Sequence, residues 1–241
     1  FAIIREMFDT SIGTIEDVER TLKLAVLAVI PHIAFGEQKR RHQGGSKKEE
    51  DGASSHTRSL LVTHFDPKDP TAEAYRILRT NIEYLSYSRP LKTILLTSAT
   101  MQEGKSTTIS NLSIAFAQQG KKVLLLECNL RRPSLRRVFG IENRTGTSDI
   151  LIQKAKWRDC VNTVTDLALG GFAMEELLAV PGLDNLNIIT YGNRPPNPTE
   201  LLSSDRMTEL LAELREYYDL VVVDAPPLLP VADSMVLSTK V

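Results

Sequence analysis

Three apolar stretches that lead into polar side chains restrict the fold of this chain more than any other feature. They are "LKTILLTSA" at 91–99, "KKVLLLEC" at 121–128 and "LVVVDA" at 220–225. Strands that are apolar at every residue are buried on both faces, which is typical of a parallel sheet covered by helices. Segments with helical spacing separate these stretches, so we predict an α/β fold with a parallel sheet and helices on both faces.

The segments between these stretches supply the predicted helices and a further strand. Helical spacing predicts helices over 71–86, 105–119 and 205–218, and the apolar run "LNIIT" at 186–190 predicts a strand. Gly120 is expected to end the second of these helices. One face of the third helix is apolar, and it consists of Met207, Leu210, Leu211, Leu214 and Tyr218.

Residues 36–60 are predicted to be a flexible linker. They are polar, contain glycine and serine, and include almost no large apolar residues, so they cannot bury enough surface to offset the entropy of ordering. The alternative is an electrostatic tether to lipid phosphates, formed by Lys39, Arg40, Arg41, Lys47 and Lys48. The acidic run at 49–51 partly cancels that charge.

The residues before the linker predict a short helix followed by a strand. Thr14 and Asp17 have the spacing of a helix-capping pair, and "LAVLAVIP" at 24–31 predicts a strand. The fold is therefore expected to carry an N-terminal helix-strand segment. Because the chain begins at Phe1 and ends at Val241 directly after an apolar stretch, we expect both ends to be cut from a longer protein.

Charge and cysteine content exclude several classes of function. The chain has 29 basic and 30 acidic residues and a net charge of −1, so no nucleic-acid partner is expected. Its two cysteines, Cys128 and Cys160, are too few for a disulfide framework or a zinc cluster. The longest apolar run is far shorter than a membrane-spanning helix.

The strongest chemical signal is "ATMQEGKST", between a predicted strand and a predicted helix. It matches the phosphate-binding loop at Gly104, Lys105 and Ser106, with Ala99 where the general pattern has its first glycine. In such loops backbone N–H groups surround a polyphosphate, the lysine reaches the β- and γ-phosphates, and the hydroxyl binds Mg²⁺. The predicted ATP-binding residues are Ala99, Thr100, Met101, Gln102, Glu103, Gly104, Lys105, Ser106 and Thr107.

Polar side chains at the ends of two other predicted strands complete this site. Asp224 follows "LVVV", and ligands bind at the carboxyl ends of strands in open α/β sheets, so Asp224 is expected to hold Mg²⁺ through a water. Glu127 and Asn129 follow "VLLL". Two acids there would make a second Mg²⁺ and base site, whereas this chain has one acid and one amide.

The order of these motifs resembles that of the bacterial tyrosine autokinases (BY-kinases), the cytoplasmic halves of Wzc-like polysaccharide co-polymerases. Three further segments resemble the family, so that the resemblance spans nearly the whole chain: "EDVERTLKLAVLAVIP", "EAYRILRTNI" and "GNRPPNPTELLSS". In the second, Glu73, Arg76 and Arg79 match a pattern that mediates ring formation, which implies an oligomer interface. Their spacing of three also allows ion pairs within one helix.

The resemblance implies an ATP- and Mg²⁺-dependent protein-tyrosine autokinase that regulates capsule or exopolysaccharide polymerisation and export. Residues 1–35 would be a membrane-proximal segment, and 61–241 a P-loop kinase-like domain truncated at its C-terminus. The implied location is the cytoplasmic face of the bacterial inner membrane. The implied partners are further copies in a ring, a membrane-spanning co-polymerase portion in the same or a partner chain, and a tyrosine phosphatase.

The resemblance also assigns roles to single residues. Lys105 and Ser106 match the Walker A positions and Asp224 matches the Walker B acid, while Glu127 and Asn129 stand where the Walker A′ motif usually has two aspartates. The implied catalytic residues are Lys105, Glu127 and Asp224. The implied metal-binding residues are Ser106, Glu127 and Asp224.

The chain departs from the family at three places. Glu127 keeps a carboxylate on a longer side chain, and Asn129 cannot act as a base. Met101 and Gln102 stand where the family often has Pro-Gly. The third departure is the absence of a C-terminal tyrosine cluster, which truncation explains as well as divergence does.

These departures leave alternatives open. One is a nucleotide-binding regulatory module without efficient phosphoryl transfer; another is a partitioning ATPase of the ParA/MinD group, which carries a lysine where this chain has Thr100. Arg131 and Arg132 either brace a transferred phosphate or form a surface turn. Asp233 is either a family acid or a helix cap.

Overall fold

The sheet of this protein is parallel and has four strands. A computed structural model describes residues 14–32, 61, 69–87, 90–170, 172–174, 177 and 180–241. The strands are β1 (Thr93–Leu96), β2 (Val123–Glu127), β3 (Leu186–Ile189) and β4 (Leu220–Asp224), in the order β1-β4-β2-β3. All three neighbouring pairs are parallel, which confirms the predicted α/β fold.

Helices connect the strands, and the three long helices predicted from the sequence are confirmed. The helices of the described residues are α1 (Ile15–Leu22), α2 (Pro70–Leu85), α3 (Lys105–Gln118), α4 (Leu135–Val138), α5 (Thr147–Leu151), α6 (Val164–Leu169), α7 (Pro198–Ser203), α8 (Asp205–Tyr217) and α9 (Asp233–Ser238). Short 3₁₀ helices lie at Trp157–Cys160 and Leu183–Asn185. Gly120 follows α3 with a φ of +90°, a conformation that favours glycine.

Strand β2 separates two hydrophobic clusters. Val123 and Leu125 belong to the cluster that contains α3, whereas Leu124 and Leu126 belong to the cluster that contains α8. Successive side chains of a strand point to opposite faces of the sheet, and every residue of β2 and β4 is buried. The uninterrupted apolar sequences therefore result from helices that cover both faces.

The strand register brings the polar strand ends together. Glu127 of β2 lies beside Asp224 of β4, and Leu96 of β1 lies on the other side of Asp224. The loop after β1, the segment after β2 and the segment after β4 consequently leave the sheet at one edge. This is the edge at which open α/β sheets bind their ligands.

The described residues before the predicted linker begin with the expected helix. Thr14 caps α1, because its side-chain oxygen accepts a hydrogen bond from the Asp17 N–H at 3.2 Å. The linker predicted over 36–60 lies outside the described residues. Within the part of the chain that the structure describes, no helix is both long enough and apolar enough to cross a membrane.

The strand predicted over 24–31 is wrong. These residues form no strand, and Leu24 and Val29 are 67% and 61% exposed. The Asn81 side chain of α2 donates a hydrogen bond to the Leu27 carbonyl at 2.6 Å. The backbone of this segment is thus bonded to a helix side chain instead of a sheet edge.

We expect Leu125→Ala to lower the free energy of unfolding by about 2–5 kcal/mol, because it creates a cavity in the middle of the sheet. Leu125 is completely buried, whereas Leu169 at the end of α6 is 75% exposed. Leu169→Ala is the matched control and should change the free energy of unfolding by less than about 0.5 kcal/mol. Urea denaturation followed by circular dichroism measures both; similar losses would contradict the described core.

Candidate functional site

The loop between β1 and α3 forms one wall of the candidate site. Gln102 and Gly104 adopt left-handed conformations, with φ of +65° and +78°. Gly104 precedes α3 and provides no side-chain cap, so the first N–H groups of the helix have no intrahelical partner. N–H groups at the positive end of a helix bind anions. At Gln102 the backbone has a conformation that costs ~1–2 kcal/mol for a residue other than glycine.

A side-chain interaction inside this loop fixes its shape. The Thr100 N–H and hydroxyl donate to the Glu103 carboxylate at 3.1 and 2.7 Å. The hydrogen bonds from Thr100 lower the pKa of Glu103. Thr100, the position of the extra lysine in the ParA/MinD group, therefore stabilises the loop in this chain.

A buried ion pair joins the start of α3 to the end of β4. The Lys105 ammonium donates to Oδ1 of Asp224, and the Ser106 hydroxyl donates to Oδ2 at 3.1 Å. Asp224 is completely buried, and the Lys105 side chain is 8% exposed. Burial raises the pKa of Asp224, while the charge and hydrogen bond of Lys105 and the hydrogen bond of Ser106 oppose that rise. Three residues predicted from two separate motifs thus meet at one point.

A cavity of about 630 Å³ adjoins this pair. Its walls are the phosphate-type loop, the segment after β2 with α4, and the segment after β4. All predicted loop residues except Ala99 line it; the Ala99 carbonyl instead accepts a hydrogen bond from the Leu229 N–H at 3.1 Å. The charged residues of the lining are Lys105, Arg131, Arg132, Arg137 and Glu103. This excess of positive charge suits an anionic ligand such as a polyphosphate.

Glu127 is absent from the lining of this cavity. Its Oε1 accepts the N–H groups of Ser134 and Leu135 at 2.6 and 2.8 Å, and its Oε2 accepts the Tyr191 N–H at 3.0 Å. Burial, assisted by the charge of Asp224, raises the pKa of Glu127 to about 7, and the three backbone hydrogen bonds oppose this rise. Here Glu127 ties the start of α4 and the chain after β3 to β2. Its catalytic and metal-binding role stays a prediction.

Asn129, in contrast, lines the cavity. It is 6% exposed, and its Oδ1 accepts the Arg132 N–H at 3.2 Å. The amide is neutral and cannot take up a proton at any relevant pH. The two positions that match the paired aspartates of the family thus have different surroundings, since both accept backbone N–H groups but only Asn129 borders the cavity.

Arg131 and Asp233 pair with each other across the candidate site. Arg131 forms a bidentate ion pair with Asp233, from Nε at 2.8 Å and from Nη2 at 3.2 Å. The hydrogen bond to Asp233 raises the pKa of Arg131. Asp233 is the first residue of α9 but makes no capping hydrogen bond. The two residues lie 102 positions apart, so no local pattern could have predicted their pairing.

Part of the cavity wall consists of residues that no sequence motif predicted. Arg137 and Val138 of α4, and Pro226, Pro227, Pro230 and Val231 after β4, line the cavity. Pro226 and Pro227 follow the predicted Walker B acid after one residue, which is the sequence signal that could have found them. Nothing in the spacing of Arg137 and Val138 distinguishes them from core or surface residues.

The predicted interface residues on α2 have partners within the chain. Arg76 pairs with Glu73 at 2.8 Å, and Arg79 Nη1 donates to the Ala115 carbonyl of α3 at 2.9 Å. The intrahelical ion pair considered in the sequence analysis is therefore present between the first two residues. Their role in an oligomer interface stays a prediction.

The residues of the site fit a nucleotide with Mg²⁺. The described residues contain no group of three or more His, Cys, Asp or Glu side chains that could hold a metal ion. Mg²⁺ usually needs no such cage, because it keeps several waters and binds one or two protein oxygens together with phosphates. The Ser106 hydroxyl and the Asp224 carboxylate offer such oxygens side by side, next to a cationic cavity.

Comparison with known proteins identifies the family. The AAA domain family (AAA_31) matches residues 92–240. The tyrosine-protein kinase YwqD of Bacillus subtilis is 42% identical over 177 residues, which cover 73% of this chain and 68% of that protein. The chain belongs to the AAA domain family and to the bacterial tyrosine-protein kinases.

Similarity to other bacterial tyrosine kinases extends over almost the whole chain. The solved kinase domain of Escherichia coli tyrosine kinase ETK has a TM-score of 0.74 and 30% identity, covering 95% of this chain and 78% of that domain. The tyrosine-protein kinase wzc of Salmonella typhi is 30% identical over 239 residues, which are 99% of this chain but 30% of that protein. The resemblance seen in the sequence is thereby confirmed.

We expect the free energy of unfolding of this bacterial tyrosine-kinase chain to fall as the pH rises from 4.5 to about 7. Glu127 loses its proton near the ordinary pKa of 4.5 when unfolded but at about 7 when folded, so only the folded state holds that proton in this range. For one such group the free energy of unfolding falls by ~1.4 kcal/mol for each pH unit. Urea denaturation at several pH values measures it.

Glu127→Gln is the matched variant for this pH dependence. It lacks the titrating proton, so its free energy of unfolding should fall less steeply over the same range. Its overall stability should also be lower, because one amide nitrogen would meet backbone N–H donors. Equal pH slopes for wild type and Glu127→Gln would contradict the assignment to Glu127.

Proposed function

We propose that this chain is an ATP- and Mg²⁺-dependent protein-tyrosine kinase. The observation that carries the proposal is the meeting of Lys105 and Ser106 at buried Asp224, beside a helix N-terminus that has no side-chain cap. Similarity to YwqD and to the ETK kinase domain supports tyrosine as the acceptor. The proposed reaction is transfer of the γ-phosphoryl group of ATP to a tyrosine hydroxyl.

Each residue of the loop and the ion pair has a proposed role in this reaction. The N–H groups at the start of α3 hold the phosphates, and Lys105 exchanges Asp224 for the β- and γ-phosphates. Ser106 and Asp224 would hold Mg²⁺, and the bound ion would neutralise the phosphate charge. Phosphoryl transfer needs mainly positioning and charge stabilisation from a protein, and the cationic lining of the cavity supplies both.

A second candidate function is a regulatory nucleotide-binding module that controls co-polymerase assembly with little phosphoryl transfer. Two observations favour it. Asn129 cannot accept a proton, and both oxygens of Glu127 accept backbone N–H groups. Among the described residues that line the cavity, the one acid is Glu103, which is bound to Thr100. The described lining of the cavity therefore offers no unbound carboxylate that could take the proton of an acceptor tyrosine.

We expect the full-length protein to transfer label from γ-labelled ATP to tyrosine, and Lys105→Met to reduce this transfer on the order of 100-fold. Asn129→Asp should raise the transfer rate ~10-fold or more, because it places a carboxylate on the cavity wall. Phosphoamino-acid analysis of the labelled protein measures all three. Equilibrium titration with ATP is the parallel control, and wild type and Asn129→Asp should bind nucleotide.

The outcomes separate the two candidate functions. If wild type binds ATP but incorporates no label while Asn129→Asp does, the regulatory module replaces the kinase. If neither wild type nor Asn129→Asp binds ATP, both candidates are wrong.

We also propose that α2 contributes to self-association of the chain, as a ring-type homo-oligomer. The helix carries Glu73, Arg76 and Arg79, and it exposes Ile77 and Tyr84 by 49% and 81%. Exposed apolar side chains next to charged ones are typical of surfaces that bind another protein.

For this interface we expect Arg76→Ala to shift the full-length protein towards monomer in analytical ultracentrifugation. The Arg76–Glu73 pair is at the surface, and such pairs contribute only ~0–1 kcal/mol to stability, so the fold should persist. Arg206→Ala on α8 is the matched control, since Arg206 pairs with Glu209 at 3.0 Å with nearly the same exposure. A monomer shift in both variants, or in neither, would contradict the proposed interface.

The proposed setting follows from the family resemblance and from the lengths of the relatives. We propose that the kinase regulates capsule or exopolysaccharide polymerisation and export at the cytoplasmic face of the inner membrane. Its partners would be a membrane-spanning co-polymerase portion, in the same or a partner chain, and a tyrosine phosphatase. Nearly the whole chain aligns with 30% of the longer protein wzc, which supports a co-polymerase portion outside this domain.

A further inference from the structure

Arg131 connects three elements that are far apart in the sequence. Besides its ion pair with Asp233, its Nη2 donates to the Thr199 hydroxyl at 2.8 Å, and that hydroxyl donates to Asp233 Oδ1 at 2.6 Å. Arg131 follows β2, Thr199 lies in the first turn of α7, and Asp233 begins α9. The Arg131 guanidinium is therefore held by side chains of two other elements, α7 and α9.

The cluster of Arg131, Thr199 and Asp233 occupies one edge of the Arg131 guanidinium and leaves the other edge available to the cavity. Asp233 is completely buried, but the Arg131 side chain is 39% exposed and lines the cavity. Nε and Nη2 are engaged by Asp233 and Thr199, whereas Nη1 has no hydrogen-bond partner among the described residues. Arg132 lines the same cavity, yet its guanidinium has no such anchor in the part of the chain that the structure describes.

The sheet order places this edge near the end of a bound polyphosphate. In nucleotide sites of this type the Walker B acid lies close to the terminal phosphates of the nucleotide. Asp224 ends β4, and β2, which carries Arg131 beyond its end, is the neighbouring strand. Neighbouring strands lie ~4.8 Å apart, so an arginine side chain after β2 can reach a group bound next to Asp224.

We propose that Arg131 binds the terminal phosphoryl group of ATP through Nη1, and that Asp233 and Thr199 are positioning residues for it. This inference rests on the proposed nucleotide-binding function. A planar guanidinium that is held along one edge is already oriented, so it loses little freedom on binding phosphate. The neighbouring Arg132 has the same charge without that orientation, and the structure therefore assigns the role to Arg131.

The rival explanation is that the cluster only fastens α7 and α9 to the segment after β2. A purely structural clamp would change protein stability, but it would not distinguish nucleotides by their number of phosphates. The ratio of the affinities for an ATP analogue and for ADP therefore separates the two explanations.

Isothermal titration calorimetry of the full-length protein with Mg²⁺ tests the proposal, with ADP and the imido analogue of ATP as ligands. Arg131→Gln should weaken binding of the analogue about tenfold or more relative to ADP, because a charge-assisted hydrogen bond is lost. Asp233→Asn and Thr199→Val should shift the same ratio in the same direction by a smaller factor. Arg132→Gln, the charge-matched control, should weaken both ligands alike.

Each outcome decides the proposal. An unchanged ratio in Arg131→Gln, or an equal shift of the ratio in Arg132→Gln, would overturn the role of Arg131 while the nucleotide-binding function stands. If wild type binds neither ligand, the proposed function fails and the inference fails with it. Should Arg131→Gln not fold by circular dichroism, Arg131→Lys and Thr199→Val decide in its place, and a normal ratio in both would overturn the inference.

Discussion

The structure depends on a carboxylate that is fully removed from water. Asp224 is completely buried, and a buried carboxylate is tolerated only where a charge or hydrogen bonds compensate the loss of hydration. Lys105 and Ser106 provide that compensation from the first two residues of α3. The start of this helix, the loop before it and the end of β4 are consequently held together by the same group.

The sheet and the long helices were predictable because each strand or helix has a characteristic pattern of apolar residues within its own segment. β2 and β4 are uninterrupted apolar runs since helices cover both faces, and α8 has one apolar face since its other face meets solvent. The strand predicted over 24–31 was wrong for a related reason. An apolar run shows that a segment can pair, but pairing also requires that the segment lie along a sheet edge, and here Asn81 of α2 bonds the Leu27 carbonyl instead.

The candidate site was predictable only where it consists of contiguous motifs. Gly104, Lys105, Ser106 and Asp224 stand in patterns whose chemistry is recognisable, although their meeting requires the β1-β4-β2 order. The contacts of Glu127 could not be predicted, because its partners lie 7, 8 and 64 residues away. A carboxylate next to backbone N–H groups and one next to a metal look alike in a sequence. Only the fold determines which neighbours are present.

Helix α3 connects the proposed nucleotide site to α2, the helix of the proposed self-association surface. Lys105 at its first residue binds Asp224, while Ala115 near its last turn accepts a hydrogen bond from Arg79 of α2. At a rise of ~1.5 Å per residue these two points are about 15 Å apart. The helix of the proposed self-association surface, α2, and the proposed nucleotide loop therefore contact opposite ends of the same helix. In the proposed oligomer, a shift of α2 at the subunit contact would act on the far end of the helix that carries Lys105.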